Sequence, residues 1–289
     1  MSSQDRIKRV RVETAEEGQL DGVSYLSKTL NIPKNTIEDL LAFGSIYKNE
    51  RRYLANEQNR LGDHFRVHIQ PRRYNSLTKL NETSIVFRDD NLLVVDKPSG
   101  LPVHPMLDNI VENVISKLTP EFGPLHTTHR LDIPTAGVLI LARNKRSQAE
   151  VNSFFSERRV EKYYECLTAA PLSKGLLEHQ MLKTDRAPKV LRSSDDGEEG
   201  NWMDCRLEVQ ECNLFGDLYV SKIRLLTGRP HQIRAQLAFV GAPILGDDVY
   251  GTENAFDYSK TEYSKRFQLA LICKKLEIPN FEFHSNFSF

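Results

Sequence analysis

Cysteine is scarce in this 289-residue chain, and its four thiols, Cys166, Cys205, Cys212 and Cys273, are scattered with no Cys-x-x-Cys pair. That excludes a disulfide framework and the usual zinc spacings. His126 and His129 stand three apart, but no third ligand lies near them in sequence, so no metal is expected. Long apolar runs are missing too, and nothing approaches the roughly 18–20 residues that cross a bilayer. The first twenty residues mix Arg6, Lys8, Arg9 and Arg11 with Asp5, Glu13, Glu16 and Glu17, which fits neither a secretory signal nor an acid-poor transit peptide. Neither sign of charge is in excess: 39 basic residues balance 39 acidic ones. A surface that grips nucleic acid everywhere would need clustered Lys and Arg. These absences lead us to expect a reducing, cytoplasmic-type compartment.

The content that remains is ordinary for a globular chain, with 39% hydrophobic and 27% charged residues. Charge is unevenly placed, however. Between Lys28 and Lys79 there are 10 Lys and Arg against 5 Asp and Glu, so the amino-terminal region is the basic patch. Residues 1–18 are polar and lack periodicity, and read as a flexible arm. From Leu20, the spacing of Val23, Leu26 and Leu30 predicts a helix. Thr36 with Asp39 predicts a second helix start ahead of Ile37, Leu40 and Leu41, with Gly44 as the stop. Ser45–Asn49 and Phe65–Ile69 then read as strands. Residues 73–82 form a polar linker, and a larger domain is expected over 83–289.

In that larger domain, Ile85–Phe87 and Leu92–Val95 predict a hairpin that runs into Asp96-Lys97-Pro98-Ser99-Gly100-Leu101. Val138–Ala142 is a wholly apolar run of strand length, and Asp132 sits on the loop feeding it, where rigid scaffolds tend to hold functional groups but where an Asp ahead of Pro and Gly also commonly just forms or caps a turn. Ser147 with Glu150 predicts a capped helix start ahead of Val151, Phe154 and Phe155. Val160–Leu167 reads as a strand with Lys162 and Tyr164 on one face, and Tyr163 is expected to face the core. Residues 172–200, ending in the acidic Asp195–Gly200, read as an exposed connection. Met203–Val209 and Leu218–Leu226 predict a strand pair. Pro230 then opens a helix with Ile233, Leu237 and Val240 on one face and Gly241 as its stop.

Residues 129–137 read His-Arg-Leu-Asp-Ile-Pro-Thr-Ala-Gly, which resembles the His-Arg-Leu-Asp-x-x-Thr-Ser-Gly signature of RluA-type pseudouridine synthases, with Ala136 in place of the usual Ser. Other segments resemble the same family: Lys97–Leu101 with His104-Pro105, the Val160–Tyr164 strand, Gly228-Arg229-Pro230-His231-Gln232-Ile233-Arg234, and Leu245-Gly246-Asp247. Ile272 stands where a His is common. Residues 19–72 resemble, less closely, an S4-like RNA-binding domain, whose pattern has a Gly where this chain has Glu50. The resemblance implies an α+β fold with a central mixed, mostly antiparallel sheet and a cleft, and an isomerase that converts uridine to pseudouridine in rRNA or tRNA without cofactor or metal. It implies Asp132 as nucleophile, Arg234 as the bidentate cation that keeps it ionised, and Tyr164 as the ring against the base. Arg130, His129, Arg229, Lys97 and Gln232 are expected to contact RNA. A monomer is expected.

Two other readings stay open at this point. Ala136, Ile272 and the degenerate amino-terminal pattern would also fit a catalytically silent RNA-binding factor that keeps the fold. A glycosidase using Asp132 would want a second catalytic carboxylate about 5–10 Å away, and the sequence nominates none.

Overall fold

Ile7 and Val10 are enough to turn part of the expected arm into structure. Ile7–Arg11 forms β1, paired antiparallel with β4 (His64–His68) over five residues. A helical turn, α1 (Ala15–Gly18), follows, closed by a capping box between Thr14 and Glu17. Polar side chains on β1 face solvent, and this hid the strand from a periodicity reading. The computed structural model describes residues 6–74, 80–81, 84–193, 200–251 and 256–289. Part of the expected linker, at 75–79 and 82, the adjoining residue 83 and the acidic run through 199 lie outside the described residues.

The chain divides into two units, Met1–Tyr74 with His104–Lys117, and Asn75–Val103 with Leu118–Phe289. In the first, α2 (Gly22–Leu30) is capped by the Asp21 carboxylate. Next, α3 (Lys34–Ala42) starts directly after Pro33, two residues earlier than expected. The short strands β2 (Ile46–Lys48) and β3 (Arg51–Arg52) complete a sheet of order β1-β4-β2-β3. Tyr25, Leu26, Ile37, Ile46, Phe65 and Val67 fill its core. Asn49 and Glu50, between β2 and β3, take left-handed backbone at φ 50° and 62°. This is where the S4-like pattern has Gly, so Glu50 adopts a conformation that glycine reaches without steric cost. Residues 104–117 were expected in the larger domain. They join this unit because Ser45 Oγ and Tyr47 Oη donate to the carbonyls of Asp108 and Leu107 at 2.6 and 2.8 Å.

The second unit is built on one large sheet. Its strands are β5 (Ile85–Arg88), β6 (Leu92–Lys97), β7 (His126–Thr127), β8 (Ala136–Ala142), β9 (Glu161–Thr168), β10 (Gly175–Leu182), β11 (Leu191–Ser193), β12 (Trp202–Phe215), β13 (Leu218–Leu225), β14 (Leu271–Ile278) and β15 (Phe281–His284). The path runs β11-β10-β12-β13-β9-β14-β8-β6-β5, and only the β14–β8 pair is parallel, so the sheet is mixed and mostly antiparallel. The other helices are α4 (Val114–Phe122), which contains the boundary between the units, α5 (Lys145–Ser156) and α6 (Gln232–Phe239). Every residue of β6 and β8 is buried, as the apolar runs Leu92–Val95 and Ala136–Ala142 require, and the charged Asp96 and Lys97 at the end of β6 are buried with them.

Several expectations are corrected in this unit. The α5 cap is Asn144, whose side chain accepts from Ser147 N–H at 2.9 Å; Ser147 lies inside the first turn. The exposed connection at 172–200 holds β10, eight residues paired with β12. Its alternation is blurred by the buried, polar His179 and by Leu176 on the exposed face, so it did not read as a strand. Tyr164, not Tyr163, is the buried member of its pair, and Tyr163 instead lies under the Lys275 ammonium at 4.3 Å.

Candidate active site

Asp132 sits on a turn that the rest of the unit clamps by its backbone. Its carbonyl accepts from Thr135 N–H at 3.1 Å, and the next carbonyl, Ile133, takes two bonds, from Gly100 N–H at 2.9 Å and Lys97 Nζ at 3.0 Å. Ser99 Oγ donates to Pro134 O at 2.5 Å. The Lys-Pro-Ser-Gly stretch after β6 therefore holds the Asp132 turn in place. Downstream, Gly137 has φ +110°, and a Cβ there would lie 2.2 Å from the Cys273 carbonyl oxygen. Only glycine allows β8 to approach β14 this closely.

The Asp132 carboxylate itself is 28% exposed, so a ligand can reach it. Two cation-capable groups from the start of α6 face the same oxygen, with Arg234 Nη1 at 3.5 Å and His231 Nε2 at 4.0 Å. The bidentate partner of Arg234 is a different carboxylate. Nε and Nη2 of Arg234 each donate to Asp247 at 2.8 Å, and both side chains are nearly inaccessible, at 3% and 0%. Burial alone would raise Asp247, but hydrogen bonds and charge from Arg234, with N–H donors from Tyr250 and Val249, hold it below the usual carboxylate range. The expected two-point Arg234–Asp132 pair is thus replaced by one longer contact. Arg234 is fixed by Asp247 and offers its remaining nitrogen to Asp132.

Tyr164 extends from β9, directly across from Cys273 of β14, and both side chains are buried. Burial, then the neighbouring Cys273 and Asp132, push the Tyr164 phenol well above 10. It stays protonated at neutral pH, so its ring face is what it offers a ligand.

A family model described as RNA pseudouridylate synthase matches residues 91–239, just over half of the chain and inclusive of Asp132, Tyr164 and Arg234. The chain belongs to this family. Among relatives, it is 28% identical to the RNA pseudouridine synthase 6, chloroplastic, of Oryza sativa subsp. japonica over 86% of its own length, and 32% identical to the Arabidopsis thaliana protein of the same name over 78%. It spans only 66% and 52% of those two relatives. It is 28% identical to the ribosomal large subunit pseudouridine synthase C of Pasteurella multocida (strain Pm70), covering 89% of this chain and 81% of that one. The solved structure of human RNA pseudouridylate synthase domain containing 4 superposes with a TM-score of 0.59 at 27% identity, over 71% of this chain and 89% of that chain.

Of the residues expected to contact RNA, this family member leaves Arg130 exposed and Arg229 half-buried, the latter donating to Asp204 O at 3.3 Å. The other three face inward. Lys97 is fully buried, and its three ammonium protons meet three carbonyls, Leu101 at 2.8 Å and Pro98 and Ile133 at 3.0 Å. Burial lowers it to about 7, against the pull of Asp132. His129 is held to about 3 by burial and then by Lys162, and its Nε2 accepts from Ile140 N–H at 3.0 Å. Gln232 Oε1 receives Thr227 Oγ1 at 2.9 Å and Arg229 N at 3.0 Å. All three brace backbone. Replacing Lys97 by Met should take the ammonium donor from three buried carbonyls, of which Ile133 keeps Gly100 N–H, and cost about 2–4 kcal/mol. Urea unfolding measures it, and an unshifted midpoint would contradict the clamp.

The residues the sequence reading missed are Asp247, His231 and Tyr250. Asp247 lay in plain view within the Leu-Gly-Asp match, but nothing local marks it as the anchor of a side chain thirteen residues earlier. The two departures from the family pattern turn out to be neighbours. Ile272 pairs with Ala136 across β14 and β8, and both pack with Phe267, against Tyr263, Phe287 and Phe289. An apolar contact braces the loop end here.

Proposed function

We propose that this chain isomerises uridine to pseudouridine in RNA, with Asp132 as nucleophile. The observation that carries the reading is a ligand-accessible carboxylate beside a cation that is itself fixed from behind by a second, buried carboxylate. Asp132 forms a bond to ribose C1′ as the N1–C1′ bond breaks and uracil leaves with the electron pair. The base turns, C5 attacks C1′, and the carboxylate departs. The C5 proton is lost and N1 gains one, so the sum is an isomerisation needing neither oxidant nor water. Arg234 stabilises the anion that is consumed and released, and Tyr164 gives the extruded base an apolar ring face. Arg130 is the exposed cation next to the turn, suited to the RNA backbone.

Asp247 has both oxygens engaged and is held ionised, which suits it poorly to the general-acid role of a glycosidase. Ala136 and Ile272 pack in an apolar cluster with Phe267, and Asp132, Arg234 and Asp247 keep their contacts, which gives no ground for a silent factor. Ribosomal RNA is the substrate we favour over transfer RNA, since a relative carries that substrate in its name. Tritium release from RNA labelled at uracil C5 tests the activity, and no release from any cellular RNA by folded protein would defeat it.

We assign the first unit to RNA binding, on its excess of exposed cations. Lys28, Lys34, Arg51 and Arg60 are all solvent-facing. Changing these four to Gln should weaken RNA binding and flatten its dependence on log salt by about 0.7 per lost phosphate contact. A titration series with an unaltered slope would make the unit incidental to binding.

A further inference from the structure

Tyr250 touches both groups that face Asp132. Its phenol oxygen accepts from Lys189 N–H at 2.9 Å, in the turn between β10 and β11, and lies 3.2 Å from His231 Nδ1. Its ring stands edge-on to His231, with centroids 5.8 Å apart, and 5.4 Å from the Arg234 guanidinium carbon. Its own backbone N–H donates to Asp247 Oδ1 at 3.0 Å.

The direction of these bonds follows from what each atom can do. Lys189 N–H can only donate, so it occupies a lone pair of the phenol oxygen. The phenol has one proton to give, and His231 Nδ1 is the acceptor within reach among the described residues. A neutral imidazole that accepts at Nδ1 carries its proton on Nε2, the nitrogen that faces Asp132 Oδ2. We infer that Tyr250 is a positioning residue that fixes His231 in the Nε2-protonated tautomer, so that a neutral N–H rather than a lone pair faces the nucleophile.

Backbone geometry supports a held ring. His231 is the residue before α6 and takes φ 58°, ψ 18°, a left-handed conformation uncommon outside glycine, though His visits it more than most residues. Strain of this kind persists only where surroundings over-determine it, and the Tyr250 bond is such a constraint. Burial lowers His231, Asp132 and Asp247 raise it, and Arg234 and Lys189 lower it, leaving the net shift downward. The neutral ring the inference needs is therefore the one present near pH 7.

The inference rests on the proposed role of Asp132, but its test does not require turnover. In the full chain labelled with 15N-histidine, the His231 signal, assigned by its loss in His231→Asn, should show a bare Nδ1 and a protonated Nε2. In Tyr250→Phe, which keeps the ring, that single tautomer should give way to a mixture. Turnover at saturating RNA should fall roughly tenfold, the size of one lost hydrogen bond, with KM little changed. A protonated Nδ1 in the unaltered protein would overturn the inference, as would an unchanged tautomer in Tyr250→Phe. If the unaltered protein shows the predicted tautomer but no turnover, the proposed function fails and the hydrogen-bond assignment stands.

Discussion

Asp132→Asn should lower turnover by at least about a thousandfold, the scale seen when a covalent catalyst is removed, while RNA binding stays within a few-fold. The amide keeps the volume and still reaches toward Arg234, so the fold should be retained. What is lost is the charge that, in the proposed mechanism, forms the bond to C1′. Little stability should change, because the carboxylate is partly solvated and meets Arg234 at 3.5 Å through one nitrogen only. Single-turnover rates on one transcript, together with filter binding, check this. Near-normal rates in the Asn variant would remove Asp132 from the chemistry.

Asp247→Asn should do the reverse, damaging the fold first and activity through it. Arg234 would keep its burial and lose its two-point partner, and breaking a buried pair from one side costs about 3–5 kcal/mol. The remaining anions near the guanidinium are Asp248, 85% exposed and 3.4 Å away, and Asp132 itself. Neither replaces two 2.8 Å bonds. The effect should also depend on pH with a definite sign. In the folded chain Asp247 lies below the ordinary 3.8, so its stabilisation is fully present above that value and drains away as pH falls below it. The gap between wild type and variant should therefore be widest near neutrality and narrow in acid. Urea unfolding at several pH values measures it, and equal stability at pH 7 would show that Arg234 does not need its buried partner.

The parts of this site legible in sequence were those marked by chemistry that packing does not ask for. By its neighbours alone Asp132 read as readily as a turn residue, and its place in the His-Arg-Leu-Asp match singled it out, while the strand at Ala136–Ala142 is where the apolar run put it. Period two placed Lys162 and Tyr164 on one face. Polar residues that turn inward were the ones misread. Lys97, His129 and Gln232 carry groups that could meet RNA, and only the fold shows that carbonyls, an amide and a hydroxyl meet them first. Arg234 does pair with Asp132, but its two-point bond goes to Asp247: a guanidinium has five donors, and sequence does not say which of two nearby carboxylates takes the better pair. Strands β1 and β10 were missed because exposed strands with charged faces carry a weak alternation.

The most direct test is to digest a reacted ribosomal RNA transcript to nucleosides and separate uridine, pseudouridine and free uracil. The account predicts that pseudouridine appears as uridine disappears, with no free uracil, and that Asp132→Asn yields neither. Free uracil released in step with lost uridine would mean that the bond to C1′ is hydrolysed and not remade, which would contradict an isomerase built on Asp132.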